Sequence, residues 1–130
     1  MALDGLDPAL LTGVFENAPE LVSLSALDGR ILHLNPAGLA LVGAPSLDAV
    51  LRLTTANFFS DVGLLAAPDV ERSLHTTGRW QGAGELRRLD TGEAVPVSIS
   101  TFLVPAGEHN ETVIASITVI DGCERVTRAP

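Results

Sequence analysis

The chain holds three histidines and one cysteine, and their spacing forms no metal-binding cluster. His75 is the sharpest candidate ligand, since a neutral imidazole can bind a metal. Its plain alternative is a surface histidine near a helix C-terminus, where positive charge is favoured. His33 alternates with Ile31 and Asn35 in a β-prone run and reads as a packed or hydrogen-bonded strand residue. His109 sits in a polar loop and reads as inert. Cys123 could act as a redox-sensitive thiol in an electropositive setting, or serve as a small structural residue.

Hydroxyls and amides offer binding rather than catalysis. Ser98 and Ser100 share one face of a long alternating run. Facing inward they would orient a small molecule, and facing outward they are ordinary strand residues. Alternation alone leaves the face open. Asn57 either points into the same cavity or caps a turn. Trp80 anchors a strand with its ring and could form a pocket wall. Glu16 and Glu20 would share a helix face only if the helix crossed Pro19. There is no nucleophilic triad and no phosphate loop with lysine, so the chain reads as non-catalytic.

These residues need elements to hold them. Asp7 can cap a helix over residues 7–17, with Pro8 at its first position. Two β-prone runs, 21–27 and 30–35, flank Asp28-Gly29, which suits a tight hairpin. Asn35 caps a short helix over 36–42 that starts on Pro36 and closes on Gly43. Replacing such a cap by Ala typically costs ~1 kcal/mol. Ser46 opens another short helix through Leu51, 54–59 is one more helical turn, and 60–67 is a loop. A helix over 68–76 stops at Gly78. Strands follow over 80–89, 94–104 and 112–120, with a turn at Thr91-Gly92 and an exposed loop over 105–110. Gly82 and Gly84 would loosen the first of these. Helices segregated from hairpin strands imply an α+β fold on an antiparallel sheet. Several strands are apolar on both faces, so both faces need cover. The N-terminal helix or a second subunit would supply the outer one.

At 130 residues the chain is one domain with room for a real core. Its apolar fraction of 46% points to a folded chain rather than a disordered one. Only five aromatic residues are present, so the core is aliphatic. The net charge is −8 and no basic stripe exists, which argues against nucleic acid and anionic membrane as partners. No stretch reaches the ~20 apolar residues that span a bilayer, and no signal peptide is evident. A cytoplasmic protein is expected.

Asp28-Gly29-Arg30-Ile31 followed by Asn35-Pro36-Ala37 resembles the opening of a PAS domain, a sensory and dimerisation module. Thr77-Gly78-Arg79-Trp80-Gln81-Gly82 is similar to the segment entering that family's third strand. Gly92 with Val95-Pro96-Val97-Ser98 is similar to its next hairpin, and Asp121-Gly122-Cys123-Glu124-Arg125 to the segment that leads to an effector. The resemblance implies a five-stranded antiparallel sheet with short helices on one face and an N-terminal helix. It implies a helical cap over 1–20, a PAS domain over 21–122, and a linker from 123 toward an effector domain in cis. Sensing would run through a small apolar ligand or a partner, with a ligand-free homodimer as the alternative. A haem sensor is the third reading, because haem-binding members carry their iron ligand on the helix that holds His75. Flavin photochemistry of the LOV type is excluded, because 54–59 lacks the family's Asn-Cys-Arg motif.

Overall fold

The structure is a computed structural model, and it describes residues 8–106 and 111–120. Helix α1 spans Pro8–Asn17 and stops before Pro19. The cap expected from Asp7 lies outside the described residues, as do His109, Asp121 and the whole 121–130 segment with Cys123.

Strands β1 (Leu21–Ala26) and β2 (Ile31–Leu34) form the first hairpin. The turn is one residue longer than the Asp-Gly signal suggests. Gly29 N donates to the Ala26 carbonyl at 2.9 Å, and Ala26 N donates to the Arg30 carbonyl at 2.9 Å. Gly29 takes φ +95°, the left-handed position of a three-residue loop. Arg30 N donates to Asp28 Oδ1 at 3.0 Å. That bond, then the Arg30 guanidinium, holds the Asp28 carboxyl below its usual range.

A bulge in β2 overturns the alternation expected for His33. Leu24 pairs with His33 and Ser25 with Ile31, so Leu32 is an extra residue in the ladder. Ile31 and Leu34 therefore both face inward and are buried. His33 turns outward, where its Nε2 meets Glu16 Oε2 at 3.1 Å and its ring lies against Phe15 of α1.

Helix α2 (Pro36–Val42) follows, then α3 (Leu47–Val50), capped by Ser46. A 3₁₀ turn covers Thr55–Phe58. The stretch expected to be loop contains a second 3₁₀ turn, Gly63–Ala66. Ser60 organises it: its hydroxyl accepts from Gly63 N at 3.0 Å and donates to Glu85 Oε1 at 2.6 Å. Helix α4 spans Ala67–Thr76.

Strands β3 (Arg79–Arg87), β4 (Ala94–Ala106) and β5 (Glu111–Ile120) complete one sheet. Its order is β2-β1-β5-β4-β3, antiparallel throughout. The sheet and helical lobe match the expected α+β architecture. The glycines of β3 do not loosen it, because β3 pairs with β4 without a break. They make room instead. A Cβ at Gly82 would sit 2.7 Å from the Trp80 ring, and one at Gly84 would sit 2.6 Å from Ile99 Cδ1.

Leu21, Ile31, Leu34, Leu86, Val97 and Ile99 of the sheet meet Val42, Val50 and Phe58 of the lobe in one core. Each such side chain contributes roughly 1.5–3 kcal/mol on burial. Helix α1 buries no residue. It meets the outer side of the sheet at β2, where Glu16 and Phe15 contact His33.

Candidate functional site

Strand register fixes which side chains face the lobe. Leu34, Ser23, Ser116, Thr101 and Trp80 are consecutive partners across β2, β1, β5, β4 and β3. Partners across an antiparallel ladder share a face. Because Leu34 belongs to the core, the whole row looks inward. The row on one side is Ile31, Ser25, Ile114 and Leu103, and on the other Leu21, Thr118, Ile99 and Gly82. The inner surface is thus aliphatic around Val97 and Leu86 and rich in hydroxyls at its centre.

Ser25, Thr101 and Thr118 are buried, whereas Ser23 and Ser116 are half-buried. Ser116 Oγ donates to Thr101 Oγ1 at 2.8 Å, and Thr101 Oγ1 donates to the Ala115 carbonyl at 3.1 Å. An open hollow of about 550 Å³ touches this end of the row. Thr77, Gly78, Trp80, Thr101 and Leu103 line it with Arg79, Gln81, Ser100 and Phe102.

The expected pocket residues fare unevenly. Trp80 lies on the inner face, packed against the core. Ser98 and Ser100 lie on the outer face: Ser98 pairs with Ala83 and Val119, Ser100 with Gln81 and Ile117. The cause is plain in β4, whose other face carries Val95, Val97, Ile99, Thr101 and Leu103 and buries the larger apolar area. Ser100 still borders the hollow at the sheet edge. Asn57 is exposed and folds back on its own turn, where its Oδ1 accepts from Thr54 N at 2.9 Å. His75 is exposed on the last turn of α4 and is not among the inward residues. Among the described residues no group of three or more His, Cys, Asp or Glu could hold a metal.

Two structural residues do more than their local signals suggest. Asn35 is fully buried. Its Oδ1 accepts from Gly38 N at 3.0 Å, the cap at Pro36, and also from Val22 N at 2.9 Å. Its Nδ2 donates to the carbonyls of Phe15 at 3.1 Å and Glu20 at 2.9 Å. One amide thereby joins α1, β1 and α2. Arg88 had no motif to announce it. Its Nη1 donates to the Ala40 and Leu41 carbonyls at the end of α2, each at 3.1 Å. Its Nε and Nη2 grip the two Asp90 oxygens at 3.0 and 2.8 Å. Those bonds hold the Asp90 carboxyl below its usual range and raise the Arg88 guanidinium further. A second open hollow, about 580 Å³, lies between this clamp and Leu39, Gly43, Ala44 and Pro45.

Comparison with known proteins agrees with this geometry. A family model described as PAS domain matches residues 9–76, more than half of the 130. No curated protein matches the chain. Among solved structures, the PAS domain of an HTR-like protein from Haloarcula marismortui is 23% identical, with TM-score 0.70, covering 86% of this chain and 89% of that one. A PAS domain from Colwellia psychrerythraea is 13% identical, with TM-score 0.76 over 86% and 94%. The Rhodobacter sphaeroides LOV protein is 14% identical, with TM-score 0.71 over 90% and 69%. At these identities the likeness is one of fold. With sheet order, helical lobe and family model in agreement, the chain belongs to the PAS domain family.

Proposed function

We infer that this domain is a non-catalytic sensory module that binds a small molecule or a partner and biases an effector domain in cis. The observation that carries this reading is the unequal hold on the helical lobe. Helix α2 is bonded to the rest of the fold at both ends, by Asn35 and by Arg88. Helix α4 buries no residue and packs on the edge strand β3. An occupant between α4 and the sheet would favour one packing of α4 over another. It can shift that balance only by its difference in affinity for the two packings. Solved PAS domains of a two-component sensor histidine kinase and of a sensor histidine kinase/response regulator share the fold, which supports an effector in cis. A PAS domain of a LuxR-family transcriptional regulator from Burkholderia thailandensis, 13% identical with TM-score 0.71, is described in complex with ethanol. That complex supports a small neutral occupant here. Thiol-adduct flavin chemistry is not part of this reading, since the one cysteine is Cys123.

Native mass spectrometry and hydrogen exchange test it. A co-purified or added small molecule should slow exchange in α4 more than in α2. Equal slowing in both helices, or no binder in a broad screen, would defeat it. The second reading is a homodimer. Leu10, Leu11 and Val14 of α1 stand exposed, and so do Ile117 and Val119 on the outer sheet face. Light scattering that returns a monomer would remove it.

A further inference from the structure

We propose that His33 and Glu16 form a pH-sensitive dock for helix α1, one that holds the helix on the sheet while the imidazole is charged and slackens as that charge is lost. The inference concerns α1 and does not depend on what the domain binds.

Helix α1 buries no residue of its own, so the contacts at its C-terminal end weigh heavily in how firmly it is held. The Asn35 amide fixes the Phe15 carbonyl at 3.1 Å, a bond between neutral groups that pH leaves alone. Two further contacts converge on one imidazole. His33 Nε2 meets Glu16 Oε2 at 3.1 Å, and the His33 and Phe15 ring centroids lie 4.7 Å apart. Imidazole is the side chain whose charge ordinarily changes between about pH 5 and 8. As a cation it donates from both nitrogens, pairs with the carboxylate and turns positive charge toward the Phe15 ring. As a neutral ring it either keeps a weaker bond to Glu16 or points a lone pair at it. Both contacts thus favour the charged form, and docking and protonation support each other. The added hold is present at lower pH and is lost as pH rises.

The other ionisable groups around β2 do not compete for His33. Strand β1, which sets Leu24 opposite it, carries none, and neither does α2. Helix α3 packs on β2 and carries Asp48, which is exposed and not bonded to His33. Asp28 and Arg30 of the hairpin pair with each other. Glu20 is exposed and gives its carbonyl to Asn35. The His33 and Glu16 side chains keep 36% and 41% of their surface exposed, so the effect is small. It acts on a helix that carries Leu10, Leu11 and Val14 exposed, and rising pH loosens the direction in which they are presented.

Amide exchange followed by NMR on the whole chain tests this. Protection of the α1 amides, relative to those of α2, should be about 2- to 4-fold higher near about pH 5.5 than near about pH 8. Glu16→Gln and His33→Phe should each abolish that difference, the second while keeping an aromatic ring against Phe15. Glu20→Gln should leave it intact. A thermal melt of each variant confirms its fold. If the α1 ratio is the same at both pH values, or if the difference survives Glu16→Gln or disappears in Glu20→Gln, the dock is not the pair named here. No ligand enters the experiment, so the sensory reading stands or falls separately.

Discussion

Helices α2 and α4 cover the same sheet and end in the same way, on a left-handed glycine. Gly43 closes α2 at φ +70°, and Gly78 closes α4 at φ +80°. Between those ends they differ. Helix α2 buries Gly38 and Val42 and is bonded at its start to β1 and at its finish to the β3–β4 turn. Among the described residues, every side-chain hydrogen bond of α4 stays local, from Arg72 to Asp69 and from Thr76 to the carbonyls of Arg72 and Ser73. Its apolar residues Val70 and Leu74 are only half-buried. Helix propensity is similar for such short segments, so tertiary contacts decide their local stability. One side of the lobe is a fixture of the fold. The other side lies on the edge strand β3 and buries none of its residues.

The largest test of that contrast is Asn35→Ala. As a helix cap alone, Asn35 would be worth ~1 kcal/mol. It also satisfies the Phe15 and Glu20 carbonyls and Val22 N, each costly to leave unpaired when buried. Urea unfolding should show a loss of about 3 kcal/mol, with faster exchange in α1 and α2 and no added effect local to α4. A loss near 1 kcal/mol would reduce Asn35 to a cap and erase the contrast at that end.

The paired glycines give a sharper, smaller test. Each would suffer roughly 1 kcal/mol from placing an L side chain in the left-handed region. A Cβ at Gly78 meets nothing within 4 Å, whereas one at Gly43 collides with the Asp90 carboxylate. Gly78→Ala should therefore cost about 1 kcal/mol and Gly43→Ala about 2 kcal/mol, since the second must also disturb the Arg88 clamp. Equal costs by urea unfolding would show that the clamp gives way freely. Leu74→Ala should fall below both, at about 0.5–1 kcal/mol, because a half-buried leucine forfeits only part of its transfer term. A loss of 2 kcal/mol or more would mean that α4 is as firmly built in as α2.

How much of this was legible depended on the distance over which each signal acts. The cap at Asn35, the stop at Gly43 and the alternation of β4 are local, and they stand in the structure as read. The hydroxyl row was not found because alternation says which residues share a face but not which face is inward. Comparing the two faces of β4 by apolar content would have turned Ser98 and Ser100 outward and Thr101 inward. The bulge at Leu32 breaks the period of two on which the His33 reading relied. No local pattern marks where a bulge will fall within Ile31-Leu32-His33-Leu34. Arg88 bonds to carbonyls 47 and 48 positions away, a pairing that only the folded chain creates.

The Arg88 clamp also supplies the smallest effect, one read by pH. Asp90 has its carboxyl pKa lowered, first by its hydrogen bonds from Arg88 and then by the charge of that guanidinium. A group with a depressed folded pKa adds stability above its unfolded value and loses it as pH falls through the folded one. The contribution of this bond is therefore complete above pH 3.8 and disappears as acid drives Asp90 through its lower folded value. Protonation leaves Arg88 holding the α2 carbonyls without its partner, so the change should be felt at that end of α2. In an NMR acid titration, the amide resonances of Gly43 and Leu89 should move with Asp90, because Leu89 N donates to the Val42 carbonyl at 2.7 Å beside the clamp. The Gly78 amide should not follow, since the backbone bond at that end of α4 runs from Leu103 N to the Gly78 carbonyl and not to the clamp. Asp90→Asn should flatten the Gly43 and Leu89 curves. A Gly78 resonance that titrates in step with Gly43 would mean that the two ends of the lobe are coupled and that α2 and α4 respond as one.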